Sequence, residues 1–297
     1  MRFMLLTGAA LLASASLVLG DAQEISFPNF SDTTGLQLNG SAAVVNTSDG
    51  AVLRVVPATG SQAGSFFSTS KLQAAAFSTF FSFRMTNPGG TLFDGPDNTV
   101  PGADGLVFVV QPNSSGAGSY GQGIGYQGIS NSVGVEFDTW QNTYNNDPSS
   151  NHVGIDLDGV VNHGTGSPFT LDVEPDFDNG NIWYAWVDYD GSVISLRAGQ
   201  SNQRPADPLV SRTVDLKTVL VGDVGYVGFT SGTGADWENV DVLNWTYRQE
   251  YNPIGGDGNP PPPPPPAVPL PAAAWTGLAG LAMLGLFQKR LRRLAGV

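Results

Sequence analysis

Between positions 24 and 250 the chain is a succession of short runs rich in β-branched and aromatic residues, each cut off by Gly, Asn, Asp or Ser. Nowhere in that stretch does an apolar period of 3.6 residues persist, so a helical bundle is excluded and strands remain. The runs fall at 51–56, 77–85, 105–110, 133–139, 153–157, 184–189, 193–196, 224–230 and 240–247, and Asp190-Gly191 between two of them is a strong hairpin turn. With 38 Gly, 21 Pro and only 13% charged residues, the composition agrees. The expectation is an all-β chain whose one domain, 24–250, is a sandwich of two large sheets packed face to face.

Charge and cysteine content narrow the chemistry. The 13 Lys and Arg stand against 26 Asp and Glu, a net charge of −13, and Lys289, Arg290, Arg292 and Arg293 crowd the C-terminal end. The rest of the chain is therefore more acidic still, and nucleic acid is a poor partner for it. With no Cys, disulfides, thiolate metal sites and Cys nucleophiles are ruled out.

The two ends read as addresses. Arg2 precedes an apolar run over 3–19 and then Gly20-Asp21-Ala22, the pattern of a secretory signal peptide (1–22) cleaved after Ala22; an N-terminal membrane anchor is the alternative. A Gly/Pro-rich linker over 251–267 contains an unbroken proline run at 260–266, which makes a stiff extended spacer of about 3 Å per residue. After it come Val268-Pro269-Leu270-Pro271-Ala272, an apolar helix over 272–287 and the basic cluster. Such a helix spans about 24 Å, marginal for a bilayer core, and its basic flank stays cytoplasmic. The segment 268–297 resembles the VPLPA-CTERM sorting signals of Gram-negative bacteria, a variant of PEP-CTERM. That resemblance implies export, transient insertion of the helix in the inner membrane, processing by an exosortase-like enzyme, and delivery to the cell surface or extracellular matrix. A permanent tail anchor is the competing reading.

The chemistry concentrates in Val135-Glu136-Phe137-Asp138-Thr139-Trp140-Gln141-Asn142, then Asp147-Pro148, then His152-Val153-Gly154-Ile155-Asp156. In a strand Val133, Val135 and Phe137 face the core while Glu136, Asp138 and, by parity, Trp140 share the other side. Alternation resumes at His152, with Val153, Ile155 and Leu157 inward. Pairing the two runs across the polar loop brings His152 beside Glu136 and Asp138, with Asn142 and Asp147 above them. Carboxylates so crowded repel unless a cation lies among them. Carboxylate, amide and carbonyl oxygens suit Ca²⁺, and a set that adds an imidazole suits a transition ion such as Mn²⁺. Asp138 and Asp147 have oxygens enough to bridge both. His163, followed by Gly164-Thr165-Gly166, has no such partners near it in sequence and reads as a loop residue.

These residues resemble the metal motif of the legume-type (L-type) lectins: Glu, Asp two later, an aromatic four later, Asn six later, Asp-Pro in the loop, and His opening a strand of the form His-Ile-Gly-Ile-Asp. Every position is filled here. The resemblance implies a jelly-roll β-sandwich of the legume lectin (concanavalin A-like) type. It implies that Asp138, Asn142, Asp147 and the Trp140 carbonyl hold Ca²⁺, and that Glu136, Asp138, Asp147 and His152 hold Mn²⁺ or another divalent transition metal. The implied sugar contacts are Asp104, which follows a cis Ala103-Asp104 peptide; Asn142, through its amide nitrogen; the Trp140 ring face; a glycine N–H, Gly123 or else Gly121; and Ala235 or Asp236 in a variable loop. The implied partner is a carbohydrate, a glycan or exopolysaccharide, and self-association into a homo-oligomer stays open.

Two other classes compete. Laminarinase-type glucanases share a similar sandwich and a Glu-x-Asp-x-x-Glu strand, but Gln141 stands where the last carboxylate belongs and can neither protonate a leaving group nor attack an anomeric carbon. The expectation is no enzyme. The other competitor is a structural or adhesive matrix protein that keeps the metals and has a degenerate pocket.

Overall fold

The computed structural model describes residues 24–90, 102–117 and 123–255. Among them sixteen strands follow one another: β1 Glu24–Phe27, β2 Leu36–Gly40, β3 Ala43–Thr47, β4 Gly50–Val56, β5 Ala63–Ser68, β6 Leu72–Gln73, β7 Phe77–Gly89 and β8 Gly105–Gln111. The second half is β9 Val133–Asp138, β10 His152–Leu157, β11 Thr170–Asp172, β12 Trp183–Tyr189, β13 Val193–Gly199, β14 Val210–Thr213, β15 Val224–Gly232 and β16 Trp237–Arg248. A short helix, α1 Leu216–Val219, and a 3-10 turn, Thr143–Asn145, complete the regular structure. Each expected run lies in a strand except that 133–139 ends one residue past β9, and β7 and β16 run beyond the expected 77–85 and 240–247.

The strands make two eight-stranded sheets with every pairing antiparallel. The back sheet has the order β14-β13-β12-β7-β16-β4-β3 with β1 beside β16. The front sheet has the order β11-β10-β9-β8-β15-β5-β2 with β6 beside β15. At the turn between β12 and β13 the Asp190 carboxylate accepts the Ser192 and Val193 N–H groups at 2.8 Å, and Gly191 takes the positive φ of 99° that the turn needs.

The layer between the sheets is aromatic. Phe81 and Phe83 of β7 meet Phe229 and Phe137 of the front sheet at centroid distances of 4.8 and 4.9 Å. Phe137 also meets Phe177 at 5.6 Å, so the strand that carries the candidate ligands is held from behind by three rings. Burying a ring of that size stabilises the fold by roughly 1.5–3 kcal/mol. A smaller cluster covers the opposite face of the front sheet, where Ile124, Tyr126 and Ile129 pack on Phe67, Val107 and Val109. Tyr126 fixes it, its hydroxyl oxygen accepting from Ser132 at 3.0 Å and from the Gly159 N–H at 3.1 Å.

The expected signal peptide, the proline run and the sorting segment with its apolar helix lie outside the described residues, as does Gly121. Among the described residues no helix is long and apolar enough to cross a membrane.

Candidate functional site

β9 lies between β8 and β10, and the register puts His152 opposite Asp138 and Gly154 opposite Glu136. On the other side Gly105 faces Asp138 and Val107 faces Glu136. The alternation and hairpin pairing expected from sequence are therefore present: Val133, Val135 and Phe137 lie in the inter-sheet core, and Glu136, Asp138 and His152 gather on the other face. Glycine is required at two of these positions. A Cβ on Gly105, at φ +120°, would run into the Phe137 carbonyl, and one on Gly154 would lie 2.5 Å from Glu136 Oε1.

The loop after β9 folds over the cluster. The Asp138 carboxylate accepts the Trp140 N–H at 2.6 Å, and Asp147 accepts the Asn142 N–H at 2.6 Å. The Asn142 carbonyl accepts the Asn145 N–H at 2.8 Å, and Asn146, at φ 62°, turns the chain back. Asn142 and Asp147 are buried and Trp140 is half-buried. Gln141 donates to the Asp147 carbonyl at 3.3 Å, so it braces the loop.

His163 corrects its expected role. The chain reverses through Asp158 and Gly159, at φ 58° and 70°, and the His163 N–H bonds the Asn145 carbonyl at 3.0 Å. This brings the ring, 3% exposed, to Glu136: Nε2 lies 2.7 Å from Oε1 and 3.6 Å from Asp147 Oδ1. Its Nδ1 lies 3.3 Å from Asp156 Oδ1. His152 approaches the same Glu136 oxygen at 3.3 Å. Sequence distance concealed the contact, and only the scarcity of histidine, two in the chain, marks it out.

Both Glu136 oxygens and the Nε2 atoms of His152 and His163 are buried with no hydrogen-bonding partner. Native interiors seldom leave such atoms unsatisfied, and a bound ion is one way to satisfy a cluster of them. Among the described residues two groups have donor atoms within 4.8 Å of one another: Glu136, His152 and His163; and Asp138, Asp147 and His152. Electrostatics agree. Burial, then Asp147 and Glu136, pushes Asp138 well above the usual carboxylate range, and burial lifts Asp147 to about 6. Burial opposes charge on Glu136, yet the two imidazoles hold it below its ordinary value. Burial likewise opposes charge on His163, but Asp156 and Glu136 outweigh it and raise the ring to about 10. A divalent cation would replace the protons that this cluster otherwise recruits.

Two other loops come close enough to interact electrostatically, Asp236 with Asp104 and Asp104 with Asp138. The Ala103-Asp104 peptide is cis, as the lectin resemblance implies. The Asp104 N–H bonds the Gly232 carbonyl at 3.1 Å, and its carbonyl accepts the Thr139 N–H at 3.3 Å, which ties it to the end of β9. Asp104 is 4% exposed, and its Oδ2 is without a partner. Burial, then the Asp236 charge, raises it to about 7. Asp236 is itself 2% exposed, whereas its neighbour Ala235 is at the surface. Gly123 opens the turn that covers the front sheet, its carbonyl accepting the Tyr126 N–H at 2.7 Å. Tyr144, singled out by nothing in the sequence, is 56% exposed on the loop, and burial followed by the charges of Asp147, Asp104 and Asp138 raises its hydroxyl.

Residues 22–259 match the family described as Legume lectin domain. The L-type lectin-domain containing receptor kinase VIII.1 of Arabidopsis thaliana is 34% identical over 227 residues, which cover 74% of this chain and 29% of the kinase. The chain thus spans less than a third of that relative. Lectin-4 of Griffonia simplicifolia is 33% identical over 186 residues, 59% of this chain and 69% of that protein. Among solved structures, lectin I-B4 of Griffonia simplicifolia in its metal-free form superposes with a TM-score of 0.61 at 25% identity, covering 76% of this chain and 98% of the other. The basic winged bean lectin with Tn-antigen gives 0.60 at 27% identity, covering 76% and 97%. The two sheets are the jelly-roll sandwich of these proteins, and the chain belongs to the legume lectin domain family.

Proposed function

We propose that this chain is an exported, non-catalytic carbohydrate-binding protein whose sugar site is organised by two divalent cations. Asp138, Asn142, Asp147 and the Trp140 carbonyl would hold Ca²⁺, and Glu136, Asp138, Asp147 and His152 would hold Mn²⁺ or a similar ion. The ions neutralise the buried carboxylates and rigidify the loop. Asp104 would accept hydrogen bonds from sugar hydroxyls, the Asn142 amide and the Gly123 N–H would donate, Trp140 would cover the C–H face, and the Ala235-Asp236 loop would set which sugar fits. The observation that carries this reading is the buried Asp104 carboxylate, whose Oδ2 has no partner and whose main chain is bonded to the end of the strand that bears the ligand cluster.

In this reading residues 1–22 direct export, the 251–267 linker is a stalk, and 268–297 is a sorting tag held in the inner membrane until an exosortase-like enzyme removes it. The product stands at the cell surface or in the extracellular matrix, where many copies compensate for weak single-site binding. A glycan array probed with Ca²⁺- and Mn²⁺-loaded protein, then with chelated protein, tests the site. Binding that disappears on chelation is expected. The burial of Asp104 together with Asp236 favours a second reading, a structural matrix role with a degenerate pocket, and silence across the loaded array would select it.

A further inference from the structure

We propose that His163 is a direct ligand of the transition ion, giving that site two imidazoles and a preference for Zn²⁺ or Co²⁺ over Mn²⁺. The inference rests on the metal reading above and adds to it a residue that the lectin motif does not supply.

Three independent features carry it. The first is placement. Two donors each about 2.1 Å from one ion stand roughly 3–4 Å apart. Around Glu136 Oε1 the spacings are 3.3 Å to His152 Nε2 and 2.7 Å to His163 Nε2, with Asp147 Oδ1 3.6 Å beyond the latter. The shortest of these has the length of a hydrogen bond without its alignment, for both atoms remain unpartnered. Without an ion a proton on His163 supplies the positive charge that this approach needs; with the ring neutral, the nitrogen and oxygen lone pairs repel unless a cation lies between them.

The second feature is orientation. A ligating imidazole is fixed by what its other nitrogen donates to. His152 Nδ1 lies 3.0 Å from the Ser149 carbonyl, an acceptor only, so Nδ1 carries the proton and Nε2 keeps its lone pair for the site. His163 repeats the arrangement: its Nδ1 is 3.3 Å from the Asp156 carboxylate, and its Nε2 faces Glu136. The two rings stand nearly perpendicular, 87° apart, with centroids separated by 5.5 Å. They therefore approach one point from different directions instead of stacking.

The third feature is room. Gly154, opposite Glu136 on β10, leaves open the space where a Cβ would lie 2.5 Å from Glu136 Oε1 and 3.1 Å from His163 Cε1. An alanine there would wedge the pair apart. His163 also lines a cavity of about 320 Å³ with Asp156, Asn162, Phe169 and Arg212, so the ring borders open space.

Donor chemistry sets the preference. Oxygen donors suit Mn²⁺, whereas imidazole suits Zn²⁺ and its neighbours, so a second imidazole shifts selection toward the later ions. The test uses the full chain, stripped of metal and resupplied with Ca²⁺, titrated with Co²⁺ and in competition with Zn²⁺ and Mn²⁺. His163→Gln should weaken Co²⁺ and Zn²⁺ binding at least about tenfold while changing Mn²⁺ affinity less. A second readout needs no variant. Because the chain has only two histidines, the Nδ1–H protons of both rings should appear as paramagnetically shifted signals in the Co²⁺-loaded native protein. One shifted ring, or unchanged affinities in His163→Gln, would overturn the proposal and leave the metal site of the preceding section standing. Tighter Co²⁺ binding by the variant would also overturn it, because His163 would then be a cationic occupant of the site. Absence of any bound Co²⁺, Zn²⁺ or Mn²⁺ in native protein would remove both readings.

Discussion

Asp138 and Asp147, at the rim of the ligand cluster, each accept a hydrogen bond from a backbone N–H, whereas Glu136, two residues back along β9, has both oxygens buried with no hydrogen bond at all. The rim is arranged by the chain itself: the turn through Asn142 and Asn146 folds the loop back, and main-chain N–H groups aim its carboxylates. In the inner cluster the imidazoles are held only at their outer nitrogens, by the Ser149 carbonyl and the Asp156 carboxylate, and the atoms that face Glu136 crowd one another without a hydrogen bond. The difference separates what the fold builds from what a bound ion must finish. It also explains why the two regions should respond differently to the same perturbation.

The largest effect should come from removing what both regions share. Phe137 lies between Glu136 and Asp138 in sequence and on the opposite face of β9, held by Phe81, Phe83 and Phe177. Phe137→Ala should lower stability by about 3–5 kcal/mol, measured as a shift of the urea midpoint, and should weaken metal binding at both regions together. A loss under about 1 kcal/mol would mean that the site does not depend on the aromatic layer behind it. Withdrawing the ions comes next. An ion present at a hundred times its dissociation constant stabilises by about 2.7 kcal/mol, so chelation should lower the melting temperature accordingly. The Trp140 and Asn142 amides, bonded to carboxylates of the same loop, should stay protected from exchange, while the His152 and His163 ring signals broaden. Equal loosening of the two would erase the contrast between rim and interior.

Asp104, in the loop that leads into β8, extends the contrast, since its main chain is bonded through both its N–H and its carbonyl while its Oδ2 has no partner. Burial and the Asp236 charge raise it from 3.8 to about 7. Between those values the folded protein keeps a proton that the unfolded chain has lost, so the stability of metal-free protein should fall as pH rises from about 4 to about 7 and level off above. The decline attributable to this group is on the order of 4 kcal/mol. Asp104→Asn should flatten that part of the profile. Denaturant unfolding across the window checks it, and an unchanged slope in the variant would show that Asp104 carries its charge in the folded state.

What the sequence made legible follows the same division. Strands with a strict two-residue alternation, such as β7, β9 and β10, could be read directly, and so could the meeting of Glu136, Asp138 and His152, because a hairpin register follows from its two strands. β5 was hidden for a physical reason. Its Gly64 lies where the Val55 carbonyl presses on the backbone, so a residue that reads as a turn is there to allow close approach. β3 and β11 are short, with exposed positions and little apolar pattern to betray them. His163 was hidden more deeply. Its contact with Glu136 depends on a reversal at Asp158-Gly159 and on a main-chain bond to Asn145 from a separate loop, neither of which leaves a periodic trace. Local alternation determines which side chains share a strand face, and tertiary closure determines what is brought against them.

The smallest effect tests the rim alone. Tyr144 projects from the 3-10 turn with 56% of its surface exposed, its hydroxyl raised by partial burial and then by the charges of Asp147, Asp104 and Asp138. An aromatic ring so exposed gains little from folding, so Tyr144→Ala should change stability by less than about 0.5 kcal/mol. If the ring joins Trp140 in covering a sugar, its removal should weaken carbohydrate binding by about 1 kcal/mol, roughly fivefold, with metal affinity unchanged. Tyr144→Phe keeps the ring face and should recover most of the loss; if it does not, the hydroxyl is the contact. Titration calorimetry with the strongest glycan from the array separates these outcomes. A variant that binds sugar as the native protein does would confine recognition to the half-buried Trp140 and the loops that close over Asp104.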